Sequence, residues 1–193
     1  QNLHVIFAID RAGLVGADGD THQGIFDISY LSGIPNLVLM APKNKWELSD
    51  MMKYAVKFGA PIAIRYPRGQ AYDGLEKNRA AIELGKSEMI TEDGDVCLVA
   101  VGSMVETAVK VREKLLAEGI NCSICNARFV KPIDEEGMLR IADTHKLMVT
   151  MEENVYSGGF GEKVRRTLDE NGKSVKLLPI HLPDEYIEHG NVD

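Results

Sequence analysis

The sequence predicts an α/β protein of two units, each built on a mainly parallel sheet. Three observations carry that expectation. Short apolar runs alternate with segments whose apolar residues recur at helical spacing, the pattern of helices laid on a parallel sheet. A stretch rich in Gly, Asp, Glu, Lys and Asn, residues 71–94, separates residues 1–70 from residues 95–193 and reads as a linker. Polar, Gly-containing segments follow the apolar runs, where open α/β sheets place their ligand loops.

The elements follow in order. Leu3–Ile9 is a continuous apolar run and reads as a buried strand. A domain that opens on such a strand is expected to have further residues upstream. Gly24–Leu31 reads as a helix whose N-terminus turns back toward the preceding loop. Asn36–Ala41 is a short buried strand, Trp46–Val56 a helix, and Pro61–Tyr66 a strand closed by Pro67-Arg68-Gly69. The linker holds one short strand around Ala81–Leu84. In the second unit Val96–Gly102 is a buried strand. Ser103 can cap a helix from Met104 to Glu118, with Gly119 as its stop. Ile120–Arg128 is a strand, and Asp134 caps a helix through Thr144. Lys146–Met151, Gly161–Glu170 and Val175–Ile180 complete the unit as strand, helix and strand.

Composition excludes several functions. The 193 residues are 45% hydrophobic and 26% charged, with a net charge of −7. An acidic chain lacks the basic face that nucleic-acid binding needs. No apolar run approaches the roughly 18 residues of a membrane span, and no targeting segment is visible. Three cysteines, an odd number, fit a reducing compartment, so a cytoplasmic location is expected. Cys122 and Cys125 have CxxC spacing, but they lie in a predicted strand, where positions three apart face opposite sides. They and Cys97 read as small buried thiols rather than a redox or zinc pair.

The chemistry concentrates in Asp10–Gly24. This segment holds Arg11, Asp18 and His22 among glycines at 13, 16, 19 and 24. Arginine offers a fixed fork of donors for phosphate or carboxylate, and histidine exchanges protons near neutral pH. Arg68 also follows a strand end, aimed by Pro67 and freed by Gly69. Arg11 and Arg68 on neighbouring strand ends can clamp one phosphate; the alternative for each is a surface arginine paired with a carboxylate. Asp18 is either a ligand contact or the stabiliser of its own turn. Asp20 is assigned no role. Glu152-Glu153-Asn154 with Gly158-Gly159-Phe160-Gly161 could bind an anion at a helix N-terminus, but a structural role is favoured. His4, His145, His181 and His189 share no metal-ligand spacing.

A family resemblance runs through these same residues. Asp10-Arg11-Ala12-Gly13, Gly16-Ala17-Asp18-Gly19 and Thr21-His22-Gln23-Gly24 open it. Ile64-Arg65-Tyr66-Pro67-Arg68-Gly69, Arg128-Phe129-Val130-Lys131-Pro132-Ile133-Asp134, Glu152-Glu153-Asn154 and Gly158–Gly161 continue it in order. The chain resembles the 1-deoxy-D-xylulose-5-phosphate synthases, transketolase-like enzymes that depend on thiamine diphosphate. The likeness covers nearly the whole chain but only about the last third of the family's length, short of its C-terminal end. It implies the C-terminal part of a pyrimidine-binding domain at 1–70, a linker at 71–94 and a transketolase-like C-terminal domain at 95–193. It implies a C2 transfer from pyruvate to glyceraldehyde 3-phosphate with loss of CO2, serving isoprenoid precursor, thiamine and pyridoxal biosynthesis. Under it Arg11 and Arg68 hold the acceptor phosphate, Asp18 its hydroxyls, and His22 is the catalytic proton donor.

The resemblance also implies what lies elsewhere. The family's Gly-Asp-Gly motif and Asn for Mg²⁺, and its catalytic glutamate, belong upstream of Asp10. Neither thiamine diphosphate nor Mg²⁺ is therefore expected to bind this chain tightly by itself. Its expected partners are the missing N-terminal part and a second copy in a homodimer, and alone it should lack synthase activity. Two rivals remain open: another enzyme of the superfamily (a transketolase or the β-subunit of a 2-oxoacid dehydrogenase), and a non-catalytic assembly module.

Overall fold

The computed structural model describes residues 1–191, which form two sheets carrying five α-helices. The first sheet takes β1 (Ile6–Ile9), β2 (Val38–Met40) and β3 (Ile62–Arg65) in the order β1-β3-β2, all parallel. Helix α1 (Asp27–Ser32) lies between β1 and β2 in sequence, and α2 (Lys45–Phe58) between β2 and β3. The side chain of Asn44 accepts from the Glu47 amide to start α2, and Gly59 ends it in the left-handed region. Ile9 pairs with Arg65, so the segments after β1 and β3 leave the sheet side by side.

The second sheet is built from β4 (Glu88–Thr91), β5 (Val96–Ala100), β6 (Cys122–Asn126), β8 (Leu147–Val155) and β9 (Lys176–Leu182). Its order is β4-β6-β5-β8-β9, parallel except for β4. Helices α3 (Met104–Ala117), α4 (Glu135–Thr144) and α5 (Phe160–Glu170) complete this unit. Between β6 and α4, β7 (Phe129–Lys131) leaves the second sheet and pairs antiparallel with β2 of the first. The two mainly parallel sheets agree with the α/β class expected.

Several local readings are corrected. The strand expected across Ile120–Arg128 ends at Asn126, because Arg128 turns the chain at φ 57° into the other sheet. No strand forms at Ala81–Leu84; the strand of that stretch is β4, further along. The Gly24–Leu31 helix begins only at Asp27, since Gly24 is paired with Gly13 instead. Ser103 makes no cap hydrogen bond. β1 is not buried: it is an edge strand, and Leu3, Val5 and Phe7 around it stand exposed.

One core runs through both units. Ile28, Leu39 and Ala63 of the first pack in the same cluster as Val99, Cys125, Phe160 and Leu168 of the second. Cys97 and Cys125 belong to this cluster, while Cys122 faces the other side of the second sheet. Burial pushes all three thiols up, that of Cys125 to about 12. They are free and packed as small apolar groups.

A buried polar network joins the units beside this core. Lys43 Nζ donates to Glu47 Oε1 at 2.9 Å and to Glu88 Oε2 at 2.7 Å. Arg128 Nε donates to Glu47 Oε1 at 2.7 Å, and its other nitrogens donate to the carbonyls of Ala80 and Ala81. Asn126 adds a bond to Glu47 at 2.9 Å. Two cations and two carboxylates balance in a dry interior, where unpaired charge is expensive.

Candidate ligand site

The Asp10–Gly24 loop is closed at its base by backbone. Gly13 and Gly24 exchange N–H···O bonds at 3.0 Å in both directions, and the Ala12 amide donates to Tyr66 O at 3.0 Å. Both glycines are required. A Cβ on Gly24 would sit 2.4 Å from Arg11 O, and one on Gly13, already at φ 78°, would sit 2.7 Å from the Glu153 carboxyl carbon. Within the loop, Gly16–Asp18 forms a short 3-10 turn, with the Asp18 amide donating to Val15 O at 3.1 Å.

That turn delivers Asp18 between two arginines. Arg11 Nε donates to Asp18 Oδ2 at 2.6 Å, and Arg68 Nη1 donates to Asp18 Oδ1. Arg11 also donates to Asp10 at 2.9 Å. The hydrogen bond from Arg11, then that from Arg68, holds the Asp18 carboxyl below its ordinary range. The same bond raises the Arg11 guanidinium. The side chain of Asp18 is 18% exposed, against 39% for Arg11 and 51% for Arg68, so the arginines flank a largely covered carboxylate.

Arg11, Asp18 and Arg68 are therefore in direct contact. His22 is exposed and lies apart from that bridge; its Nδ1 shares a hydrogen bond of 2.9 Å with Thr21 Oγ1. It lines a hollow of about 190 Å³ together with Arg11, Gln23, Gly24, Asp27 and Tyr30. Arg68 lines a cleft of about 580 Å³, whose walls include Asp10, Tyr66, Tyr72, Ser103 and Glu106. Asp10 borders both spaces, and Arg11 lines one and Arg68 the other, so the Arg11–Asp18–Arg68 bridge links two adjoining hollows.

Supporting residues come from both units. Arg65, buried at the end of β3, pairs with Asp27 at 3.0 Å and donates to Gly24 O at 3.1 Å. The Glu152-Glu153-Asn154 run at the end of β8 works as a brace. Glu152 accepts from the Phe160 and Gly161 amides at 2.7 and 2.8 Å. The anion at the N-terminus of α5 is thus the chain's own carboxylate, as the structural reading of Gly158–Gly161 requires. Burial raises the Glu152 carboxyl, and the two amide bonds oppose that only in part. Glu153 accepts from Ser103 Oγ at 2.6 Å and from the Leu14 amide at 3.4 Å. Asn154 accepts from the Ile28 amide at 3.2 Å and donates to Ser29 Oγ at 2.9 Å. The motif was legible in the sequence; its partners in the first unit, Leu14, Ile28 and Ser29, more than a hundred residues away, were not.

Comparison with known proteins follows the same division. Residues 1–73 match the pyrimidine-binding domain of transketolase, and residues 85–193 match the transketolase C-terminal domain. The chain belongs to the transketolase family. Within it, the 1-deoxy-D-xylulose-5-phosphate synthase of Lachnoclostridium phytofermentans is 51% identical over 98% of this chain and 30% of its own length. That of Natranaerobius thermophilus is 50% identical over 99% of this chain and 31% of its own length. A solved structure described as a split-gene transketolase, an inactive beta4 tetramer, is 28% identical with a TM-score of 0.85, covering 95% of this chain and 59% of that one. The chain thus spans under a third of the curated relatives it resembles. No helix among the described residues is long and apolar enough to cross a membrane.

Proposed function

We propose that this chain supplies the acceptor-binding loop of a 1-deoxy-D-xylulose-5-phosphate synthase, which joins a two-carbon unit from pyruvate to glyceraldehyde 3-phosphate. The observation that carries this reading is the convergence of Arg11 and Arg68, from neighbouring strand ends, on one anionic group. In the free site that anion is Asp18. The side chains of both arginines are open to solvent, so an arriving phosphate can reach them and replace the carboxylate with charge-assisted bonds from both guanidinium groups. Asp18, released, then accepts from the acceptor's hydroxyls. His22, in the adjoining hollow, hands a proton to the acceptor's carbonyl oxygen as the carbon–carbon bond forms.

Thiamine diphosphate, held through Mg²⁺, would supply the carbanion chemistry in the whole protein. Among the described residues no group of three His, Cys, Asp or Glu converges on one point, and no residue here is assigned to that metal. Exposed Leu3, Val5 and Phe7 on and before the β1 edge would be covered by the rest of a longer protein assembled as a homodimer.

The test uses the whole protein that carries this sequence, assayed for product from pyruvate and glyceraldehyde 3-phosphate. Substituting Arg68→Ala should raise KM for the acceptor and leave that for pyruvate unchanged. Equal losses for both substrates would indicate a folding or cofactor defect and contradict the assignment. The chain alone should show neither synthase activity nor Mg²⁺-dependent binding of thiamine diphosphate by calorimetry; micromolar binding would mean the cofactor site has been misplaced.

A further inference from the structure

The segment after β9 returns to the ligand loop. The Gly190 amide donates to Gly16 O at 3.2 Å. The Ile187 carbonyl accepts from Gln23 Nε2 at 2.7 Å. The Tyr186 ring meets Phe26 edge-on, with centroids 5.5 Å apart. These three contacts flank Asp18 and His22: Gly16 begins the turn that carries Asp18, and Gln23 follows His22 directly.

Gln23 is the joint. Its Oε1 accepts from the Val15 amide at 3.3 Å while its Nε2 reaches the tail. One side-chain amide thereby ties the two limbs of the loop to each other and to a segment more than 160 residues away. Above the base closed by Gly13 and Gly24, the loop's backbone bonds to itself are few, those of Asp18 to Val15 and of His22 to Gly19, the latter a long 3.4 Å, and its side chains add the Arg11–Asp18–Arg68 bridge. Glycine-rich backbone held so sparsely opens locally unless something outside fixes it.

We propose that Tyr186–Gly190 is a strap that positions the ligand loop, with Gln23 as the positioning residue that joins the two. The second unit would then set the spacing of Arg11, Asp18 and His22 without touching the ligand. The functional consequence rests on the acceptor-site reading above; the strap itself does not.

Two variants of the chain test it: one ending at Pro183, and Gln23→Glu, which keeps an acceptor for the Val15 amide but loses the donor to Ile187. Hydrogen exchange at the Val15, Asp18 and His22 amides should accelerate roughly fivefold or more in each. The two changes combined should do no more than truncation alone, because truncation already breaks the bond that Gln23→Glu removes. Amides of β5 and α3 should keep their protection, which separates loss of the strap from loss of the fold. Unchanged loop exchange on truncation, or effects that multiply, would overturn the proposal. In the whole protein, Gln23→Glu should raise KM for the acceptor and leave that for pyruvate. An unmoved acceptor KM alongside faster exchange would leave the strap standing and remove the acceptor reading.

Discussion

Asp18 has both carboxylate oxygens engaged by arginines, which makes it a stand-in for the ligand those arginines are suited to hold. Removing its charge while keeping its shape should free the clamp. Asp18→Asn is expected to bind inorganic phosphate several-fold more tightly than the parent chain, read by calorimetric titration near neutral pH at low salt. Weaker binding would mean that Asp18 chiefly holds the arginines in place. The sequence showed which residues could converge, because two arginines and an aspartate lay beside strand ends and glycines. It left open whether the arginines faced a ligand or a carboxylate. The structure shows the carboxylate, an outcome set by a 3-10 turn too short for any periodicity to reveal.

At the scale of elements, the loop is fixed by partners from the other unit. Gly13 is needed twice, for its positive φ and for the room taken by Glu153. Gly13→Ala should destabilise the chain by about 1–3 kcal/mol in urea unfolding. In a Glu153→Ala background the clash with the carboxyl group disappears while that with the Glu153 Cβ, at 2.9 Å, remains, so the cost should fall in part; an unchanged cost would assign it to backbone strain and the Cβ contact. Most helices and strands could be read from periodicity, and the Asp134 cap of α4 from its place before a helical run. The misreadings share a cause. The Ser103 hydroxyl bonds Glu153 instead of capping α3, Gly24 pairs with Gly13 instead of entering α1, and Arg128 turns the chain toward β2 instead of continuing β6. Each is a contact beyond the element itself overriding a local preference.

At the scale of the molecule, the two sheets are joined by a shared core and by the Lys43–Glu47–Glu88–Arg128 network. The sequence presented these residues as scattered charges, since their pairing depends on β6, β4 and α2 meeting. Arg128→Ala leaves two buried carboxylates with one cation and should cost about 3–5 kcal/mol of stability by denaturant unfolding. A loss under 1 kcal/mol would show that water enters the network. The network also makes a pH prediction. Burial alone would raise the Glu88 carboxyl, but bonds from Lys43 and the Ala80 amide, with the nearby Arg128 charge, hold it below 4.5, its ordinary value. A carboxyl lowered in the folded state stabilises above that ordinary value and loses its contribution as pH falls through the folded one. The stability advantage of the parent chain over Glu88→Gln should therefore be full at pH 7 and shrink as the pH falls below 4.5. An advantage independent of pH would contradict the pairing.

The central claim is that Arg11 and Arg68 recognise the phosphate of an acceptor aldehyde. Its most direct measurement compares kcat/KM of the whole protein carrying this sequence with glyceraldehyde 3-phosphate and with unphosphorylated glyceraldehyde, each for the parent and for Arg68→Ala. The account predicts a loss of about 10- to 150-fold with the phosphorylated acceptor, the worth of lost charge-assisted bonds, and almost none with glyceraldehyde. An equal loss with both acceptors would contradict it, because Arg68 would then act on something other than the phosphate.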